Sequence, residues 1–130
     1  MRKSIVLAAD NAYLVQLETT IKSILCHNTE VDFYILNSDI APEWFKLLVP
    51  KLKHFDSSIK NIHLESNDFK DFKTANHINY ATFYRFLIPN VINDSRSLYL
   101  DCDLIVSGDL SPLFELDLNG YPIAAVQDNY

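Results

Sequence analysis

Two aspartates, Asp101 and Asp103, are the residues whose type and spacing point most directly to chemistry in this sequence. They follow the apolar residues 98–100, and in extended backbone side chains two positions apart point to the same side. Two carboxylates at the end of a strand form half of a site for a hard divalent cation, which water or substrate oxygens complete. The alternative is a polar loop whose acidic side chains face water.

Arg85 and the pair Asp10 and Tyr13 are the next candidates. Arg85 lies between Tyr84 and Phe86, and a lone arginine among aromatics must extend toward water or find a partner. It either pairs with a buried aspartate or serves as a fixed cation for a phosphate or carboxylate. Asp10 and Tyr13 form either a helix cap beside a surface aromatic, or an edge that binds a base through the carboxylate and the ring.

His77, Asp128 and the two cysteines are uninformative one by one. His77 is typical of a loop residue before a helix, and Asp128 of a turn after a strand. Cys26 and Cys102 are too few for a disulfide framework, and we predict a thiolate nucleophile at neither of them. We therefore predict reduced, buried thiols, which suit the cytoplasm.

Composition excludes several classes of protein. The 130 residues predict one domain that can bury a core without staples. The chain has two glycines, where about nine are typical of this length, so it can form neither a Walker P-loop nor a dinucleotide-binding glycine turn. The net charge of −6 disfavours nucleic acid as a partner.

The basic run 51–54 bears on location. We interpret it as the solvated end of a helix, with a weak contact to anionic lipid as the alternative. No apolar run reaches the length of a membrane helix. The expected location is therefore cytoplasmic, with at most a peripheral contact at the inner face of the membrane.

The apolar periodicity predicts the elements that must position these residues. Strands are predicted at 5–9, 31–36, 59–64, 98–100 with a continuation at 104–106, and 123–126. Helices are predicted at 14–25, from Pro42 with a kink or restart at Pro50, at 79–87, and as a turn or short helix at 111–115. This alternation is typical of an α/β fold with a mainly parallel sheet, whose ligands bind beyond the carboxyl ends of the strands. Asp10 and the pair Asp101 and Asp103 are thus expected at one sheet edge.

Five separated segments together resemble one family. They are IVLAADNAY (5–13), IKSI (21–24), VDFYIL (31–36), HINYATFYR (77–85) and YLDCDLIV (99–106). In this order and spacing they are similar to the family 8 glycosyltransferases, which include bacterial lipopolysaccharide galactosyl- and glucosyltransferases. The resemblance covers essentially the whole chain. It implies a GT-A type nucleotide-diphospho-sugar transferase fold, with a mainly parallel, Rossmann-like sheet flanked by helices and incomplete at its carboxyl end.

The resemblance also implies an activity. The family transfers a hexose from UDP-galactose or UDP-glucose, with Mn²⁺ or Mg²⁺ and with retention of configuration, to a saccharide or lipooligosaccharide acceptor. Asp101 and Asp103 match the metal-binding pair. Arg85 matches a catalytic arginine near the donor diphosphate and sugar, Asp128 a catalytic aspartate that accepts hydroxyls of the donor sugar, and His77 a position near the acceptor.

Seven residues match the family's nucleotide-sugar-binding positions, and Arg85 and Asp101 are two of them. Asp10 and Tyr13 match the edge that binds uracil, and Ala8 and Ile78 belong to the same region. Cys102 is expected to approach the ribose mainly through its backbone. The assignments of Ala8, Ile78 and Cys102 are implied by the resemblance alone.

The sequence departs from the family pattern at two places. Relatives often carry asparagine immediately before the tyrosine of the uracil edge, where this chain has Ala12 and places the asparagine at Asn11. A histidine that completes the family's metal site lies beyond the length of this chain, as do acceptor-binding residues. The chain, 1–130, is therefore expected to be a single donor-binding, amino-terminal portion of a GT-A domain, with little or no transferase activity in isolation.

The residues leave alternatives for the reaction route and for the class of protein. Retention can proceed through a covalent intermediate on a carboxylate or by attack from the face that the leaving group departs, and no nucleophile is identifiable. A non-catalytic fragment that binds sugar nucleotides is an alternative function. A phosphoacceptor signalling module is disfavoured, because it needs an acceptor aspartate at the end of the third strand and a later lysine. Here the third predicted strand ends in Leu64-Glu65, and no lysine follows Lys73.

Overall fold

A four-stranded parallel sheet organises the chain. The computed structural model describes residues 1–65, 88 and 96–127. The strands are β1 (Lys3–Ala8), β2 (Val31–Asn37), β3 (Ser58–His63) and β4 (Leu98–Leu100). The helices are α1 (Leu14–Leu25), which follows a 3-10 turn at Asn11–Tyr13, α2 (Pro42–Lys53) and α3 (Ser111–Phe114).

The strand order β3-β2-β1-β4 places β1 in the interior of the sheet. Leu7 pairs with Ile35 of β2 on one side and with Leu100 of β4 on the other. Because all of these strands are parallel, the carboxyl ends of β1 and β4 meet at the same edge. This confirms the prediction of an α/β fold whose mainly parallel sheet brings Asp10 close to the acidic residues after β4.

Both faces of the two central strands are buried. One face of β1 and β2 packs against the helices, with Leu17, Ile24 and Phe45 among the buried residues of that cluster. The opposite face buries a smaller cluster that includes Val6 and Leu36, both without solvent exposure. Burial on two faces explains why these strands are continuous apolar runs in the sequence rather than alternating ones.

Two predicted strands are wrong. The residues of 104–106 form no strand, because the backbone N–H groups of Leu104 and Val106 donate to side chains of α1 rather than to a neighbouring strand. The residues of 123–126 also lie outside any strand, and Val126 is 97% exposed. An apolar run is compatible with a strand but does not supply the partner that a strand requires.

Two smaller predictions need correction. Helix α2 continues through Pro50 to Lys53 without a restart. Proline removes one hydrogen bond to the carbonyl of Lys46, but both residues are exposed, so water can bind that carbonyl. Cys26 is exposed rather than buried, while Cys102 is half-buried, and both are free thiols.

The predicted helix at 79–87 lies outside the described residues. Across the part of the chain that the structure describes, no helix is long and apolar enough to cross a membrane.

An arginine–aspartate pair joins the first residues of the sheet at its amino-terminal edge. Arg2 donates from Nε and Nη2 to the two carboxylate oxygens of Asp32, at 3.0 and 2.7 Å. Ser58 Oγ donates to Asp32 Oδ1 at 2.7 Å, so the residue before β1 and residues of β2 and β3 meet at one carboxylate. The hydrogen bonds from Arg2 lower the pKa of Asp32; burial opposes this shift and the Ser58 hydroxyl adds to it.

The variant Asp32→Asn is expected to show how this pair depends on pH. A carboxyl group whose pKa is lowered by folding stabilises the folded state above its unfolded pKa of about 3.9, and this contribution is lost as pH falls through the folded pKa. The variant should therefore be less stable than the wild type by about 1 kcal/mol at neutral pH. Urea unfolding at a series of pH values should give stabilities that converge as pH falls below about 3.9. A difference that is constant with pH would contradict this account.

Candidate functional site

An open cleft of about 280 Å³ lies at the carboxyl ends of β1 and β4. All of its lining residues belong to the ends of these two strands and to the segments that follow them. They are Ala8, Ala9, Asp10, Tyr13, Tyr99, Asp101, Cys102 and Asp103. The structure thus brings together six of the residues that the sequence suggested for a nucleotide-sugar and metal site.

Asp10 does not cap the helix that follows it, so this interpretation was wrong. Its side chain makes no capping hydrogen bond, and the backbone N–H of Asn11 donates instead to Asp39 Oδ1 at 2.9 Å. Asp10 Oδ1 is buried and has no hydrogen-bond partner among the described residues. A buried carboxylate oxygen without a donor is costly, and a ligand with an N–H or O–H group in the cleft would supply that donor.

Asp39 is a residue that the sequence reasoning missed. It lies two positions after β2, whose carboxyl end is adjacent to that of β1 in the parallel sheet. This position was the available signal, since a polar side chain there can reach the turn that follows β1. Asp39 takes over the capping role and leaves the Asp10 carboxylate free to face the cleft.

Small and aromatic residues shape the wall of the cleft beside Asp10. Ala8 and Ala9 are buried and add no side-chain bulk at the end of β1. Tyr13 follows in the 3-10 turn and is 44% exposed, so one part of its ring is accessible from the cleft. An accessible aromatic ring beside an unpaired acceptor is a suitable surface for a planar heterocycle.

Asp101, Cys102 and Asp103 form the acidic turn. The sequence analysis expected strand alternation to place the two carboxylates on one side. Strand β4 ends at Leu100, however, and residues 102 and 103 adopt a turn, so alternation does not bring them together. The turn does, because both aspartates line the same cleft. Both are exposed, and no residue in the described ranges gives either of them a hydrogen bond or an ion pair.

The cleft is electrostatically negative. Burial raises the pKa of the Cys102 thiol, and the charges of Asp103, Asp101 and Asp10 raise it further. The described lining contains no lysine, arginine or histidine to offset these charges. A thiol in such surroundings stays protonated, so Cys102 is unsuited to be a nucleophile.

The donor set of the acidic turn fits a hard divalent cation. Asp101 and Asp103 supply carboxylate oxygens, the ligand type that Mg²⁺ and Mn²⁺ prefer. Within residues 1–65, 88 and 96–127, no three histidine, cysteine, aspartate or glutamate side chains are grouped so that they could hold a metal ion. Further ligands for such an ion would therefore come from a substrate or from other residues.

Four of the predicted site residues lie outside the described residues. These are His77, Ile78, Arg85 and Asp128. Their assignments therefore stay predictions that rest on the sequence resemblance.

The chain is similar in sequence to known glycosyltransferases. The chain is 61% identical over 130 residues to glycosyltransferase GlyF of Streptococcus pneumoniae serotype 4, covering all of this chain and 33% of GlyF. It is 47% identical over 129 residues to glycosyltransferase GlyB of the same organism, covering 98% of this chain and 32% of GlyB. The chain thus spans about a third of the length of these curated relatives.

Solved structures share the fold. The apo form of glycosyltransferase GlyE from Streptococcus pneumoniae matches with a TM-score of 0.77 and 38% identity, over 91% of this chain and 27% of GlyE. The galactosyltransferase LgtC, crystallised with donor and acceptor sugar analogues, matches with a TM-score of 0.74 and 29% identity, over 88% of this chain and 43% of LgtC. These matches show that the described sheet and helices are part of a GT-A fold.

The family model described as "Glycosyl transferase family 8" matches residues 4–130, nearly the whole chain. This match agrees with the relatives, with the parallel sheet and with the five sequence segments that suggested the same family. The chain belongs to glycosyl transferase family 8.

Proposed function

We propose that this chain forms the donor-binding portion of a metal-dependent, retaining glycosyltransferase. The donor would be UDP-galactose or UDP-glucose, and the acceptor a saccharide such as a lipooligosaccharide. The single observation that carries this proposal is the cleft at the ends of β1 and β4, where Asp10, Asp101 and Asp103 line one cavity. Family membership supports glycosyl transfer as the reaction class.

The acidic turn would serve the diphosphate of the donor. A nucleoside diphosphate is an anion, and the described lining of the cleft carries carboxylates without a basic residue. Asp101 and Asp103 would therefore act by holding Mn²⁺ or Mg²⁺. When bound, this ion supplies Lewis-acid stabilisation of the charge that develops on the departing diphosphate. Arg85 is the proposed second cation.

The other side of the cleft would bind the base. The uracil ring carries an N–H group flanked by two carbonyls, and the unpartnered Oδ1 of Asp10 is an acceptor for that hydrogen. The exposed part of the Tyr13 ring offers a stacking surface. Ala8 and Ile78 would complete the nucleotide site, and the Cys102 backbone would lie near the ribose.

The proposal also specifies the sugar, the acceptor and the stereochemical outcome. LgtC is a galactosyltransferase crystallised with donor and acceptor sugar analogues, which supports a hexose donor. Asp128 would accept hydrogen bonds from donor-sugar hydroxyls, and His77 would lie near the acceptor. Retention follows from the family resemblance, by either of the two routes described above.

Calorimetric titration of the chain with UDP, in the presence of Mn²⁺ and then of EDTA, tests this proposal. We expect UDP to bind with Mn²⁺ and much more weakly with EDTA, because the acidic cleft repels the uncompensated diphosphate. CDP is the matched control, since its ring presents an acceptor where uracil presents an N–H donor, and Asp10 should disfavour it. Absence of UDP binding would contradict the donor assignment, and equal binding in EDTA would contradict the metal dependence.

A further inference from the structure

Helix α1 contains a threonine whose side chain is bonded to the acidic turn. Thr20 has no solvent exposure. Its hydroxyl oxygen lies 2.8 Å from the carbonyl oxygens of both Cys102 and Leu104, between which its one proton is shared. The same oxygen accepts the backbone N–H of Leu104 at 3.1 Å. One side chain thus satisfies three backbone groups that lie 82 and 84 positions away in the sequence.

These contacts are made to the residues directly before and after Asp103. Asp103 lies between Cys102 and Leu104, the two residues whose backbone Thr20 binds, and Asp101 directly precedes Cys102. The acidic turn is not part of a strand, so no sheet ladder fixes its backbone. Thr20 supplies hydrogen bonds in place of that ladder.

Two further polar residues extend this attachment along the chain. Ser23 Oγ accepts the backbone N–H of Val106 at 2.9 Å. Asn28 donates to the carbonyl of Gly108 at 3.2 Å and accepts the N–H of Leu110 at 2.9 Å. The segment that follows the acidic turn is therefore hydrogen-bonded to α1 at Val106, and to the loop after α1 at Gly108 and Leu110.

The neighbouring threonine shows the ordinary use of this side chain. Thr19 is exposed, and its hydroxyl donates to the carbonyl of Val15 one turn earlier at 2.8 Å. Such a back-bond is the usual outcome for threonine within a helix. Thr20 occupies the same helix but directs its hydroxyl to the loop, at a buried position where an apolar side chain would favour the helix more.

We propose that Thr20 is a positioning residue for metal binding: by fixing the backbone on both sides of Asp103, it holds the two carboxylates in the arrangement that binds the cation. The inference rests on the proposed function and adds to it a residue that contacts neither metal nor donor. Partners that orient metal ligands in this way typically change metal affinity by about 10- to 100-fold when removed.

Electron paramagnetic resonance of Mn²⁺ in the presence of saturating UDP tests this role without an activity assay. Thr20→Val should weaken Mn²⁺ binding by about tenfold or more, because valine keeps the shape but cannot bond the turn. Thr20→Ser keeps the hydroxyl, so this variant should bind Mn²⁺ with close to the wild-type affinity. Thr19→Val, the matched control on the same helix, should leave it unchanged.

A thermal unfolding curve for each variant separates positioning from a merely structural role. A structural role would lower the melting temperature of Thr20→Val while the folded protein kept its Mn²⁺ affinity, and that result would overturn the inference. Equal losses of affinity in Thr19→Val and Thr20→Val would also overturn it.

Two remaining outcomes are also decisive. If the wild type binds no Mn²⁺ with UDP, the proposed function fails and the inference fails with it, whereas a deficit confined to Thr20→Val supports both. If Thr20→Val does not fold, Thr20→Ala replaces it, because alanine also lacks the hydroxyl: weaker Mn²⁺ binding than in Thr20→Ser then supports the inference, and unchanged binding overturns it.

Discussion

Replacing both acidic residues, in the variant Asp101→Asn/Asp103→Asn, is expected to abolish Mn²⁺-dependent binding of UDP. Asparagine keeps the size of each side chain but removes the two negative charges that a divalent cation requires. The apparent affinity for UDP with Mn²⁺ should fall by about 100-fold or more, as measured by calorimetry. The fold should persist, because no residue in the described part of the chain depends on either carboxylate for a hydrogen bond or an ion pair.

The control for this variant changes the same number of charges elsewhere. Glu43 and Glu115 are exposed and do not line the cleft. The variant Glu43→Gln/Glu115→Gln therefore raises the net charge equally and should bind UDP and Mn²⁺ like the wild type. Equal loss in both double variants would assign the effect to overall charge rather than to the acidic turn, and would refute the site.

The substitution Leu7→Ala is expected to give the second large effect, on stability. Leu7 is fully buried in β1, between β2 and β4 in the sheet and against the helix-facing cluster. Truncation removes buried methyl groups and leaves a cavity, which should lower the free energy of unfolding by about 3 kcal/mol. This is a large fraction of the 5–15 kcal/mol that is typical of a folded domain, on the order of a fifth or more. Urea unfolding followed by circular dichroism measures it.

Leu47→Ala is the matched control, because it makes the same change at a leucine that is 68% exposed on α2. Alanine is the stronger helix former, so the free energy of unfolding should change by less than about 0.5 kcal/mol. If both substitutions destabilise the protein alike, the sheet would not be the centre of the core.

The elements with the strongest local patterns could be predicted from the sequence. Helix α1 was predicted at 14–25 and observed at Leu14–Leu25, because its apolar residues recur at helical spacing. Strands β1 and β2 could be predicted because each is a short, mostly apolar run, which is typical of strands that are buried on both faces. The failures at 104–106 and 123–126 involve equally apolar runs, for which the described chain supplies no neighbouring strand.

The candidate site was predicted in part. Asp10, Tyr13, Asp101 and Asp103 could be nominated because parallel strands end at one edge, and the structure places them around one cleft. The roles of these residues came from the family resemblance. The sequence alone could not decide whether Asp10 caps a helix or faces a ligand, because both uses suit an aspartate at that position.

The sequence by itself determined the fold class, the family and the residue types available for chemistry, because these depend on local periodicity and on motifs read in order. Only the tertiary structure decided which polar groups are partners. Asp39 lies 28 positions from Asn11, and Thr20 lies 82 positions from Cys102; no local pattern links either pair. A hydrogen bond depends on distance and direction in space, and those are fixed only once the sheet has brought the carboxyl ends of its strands together.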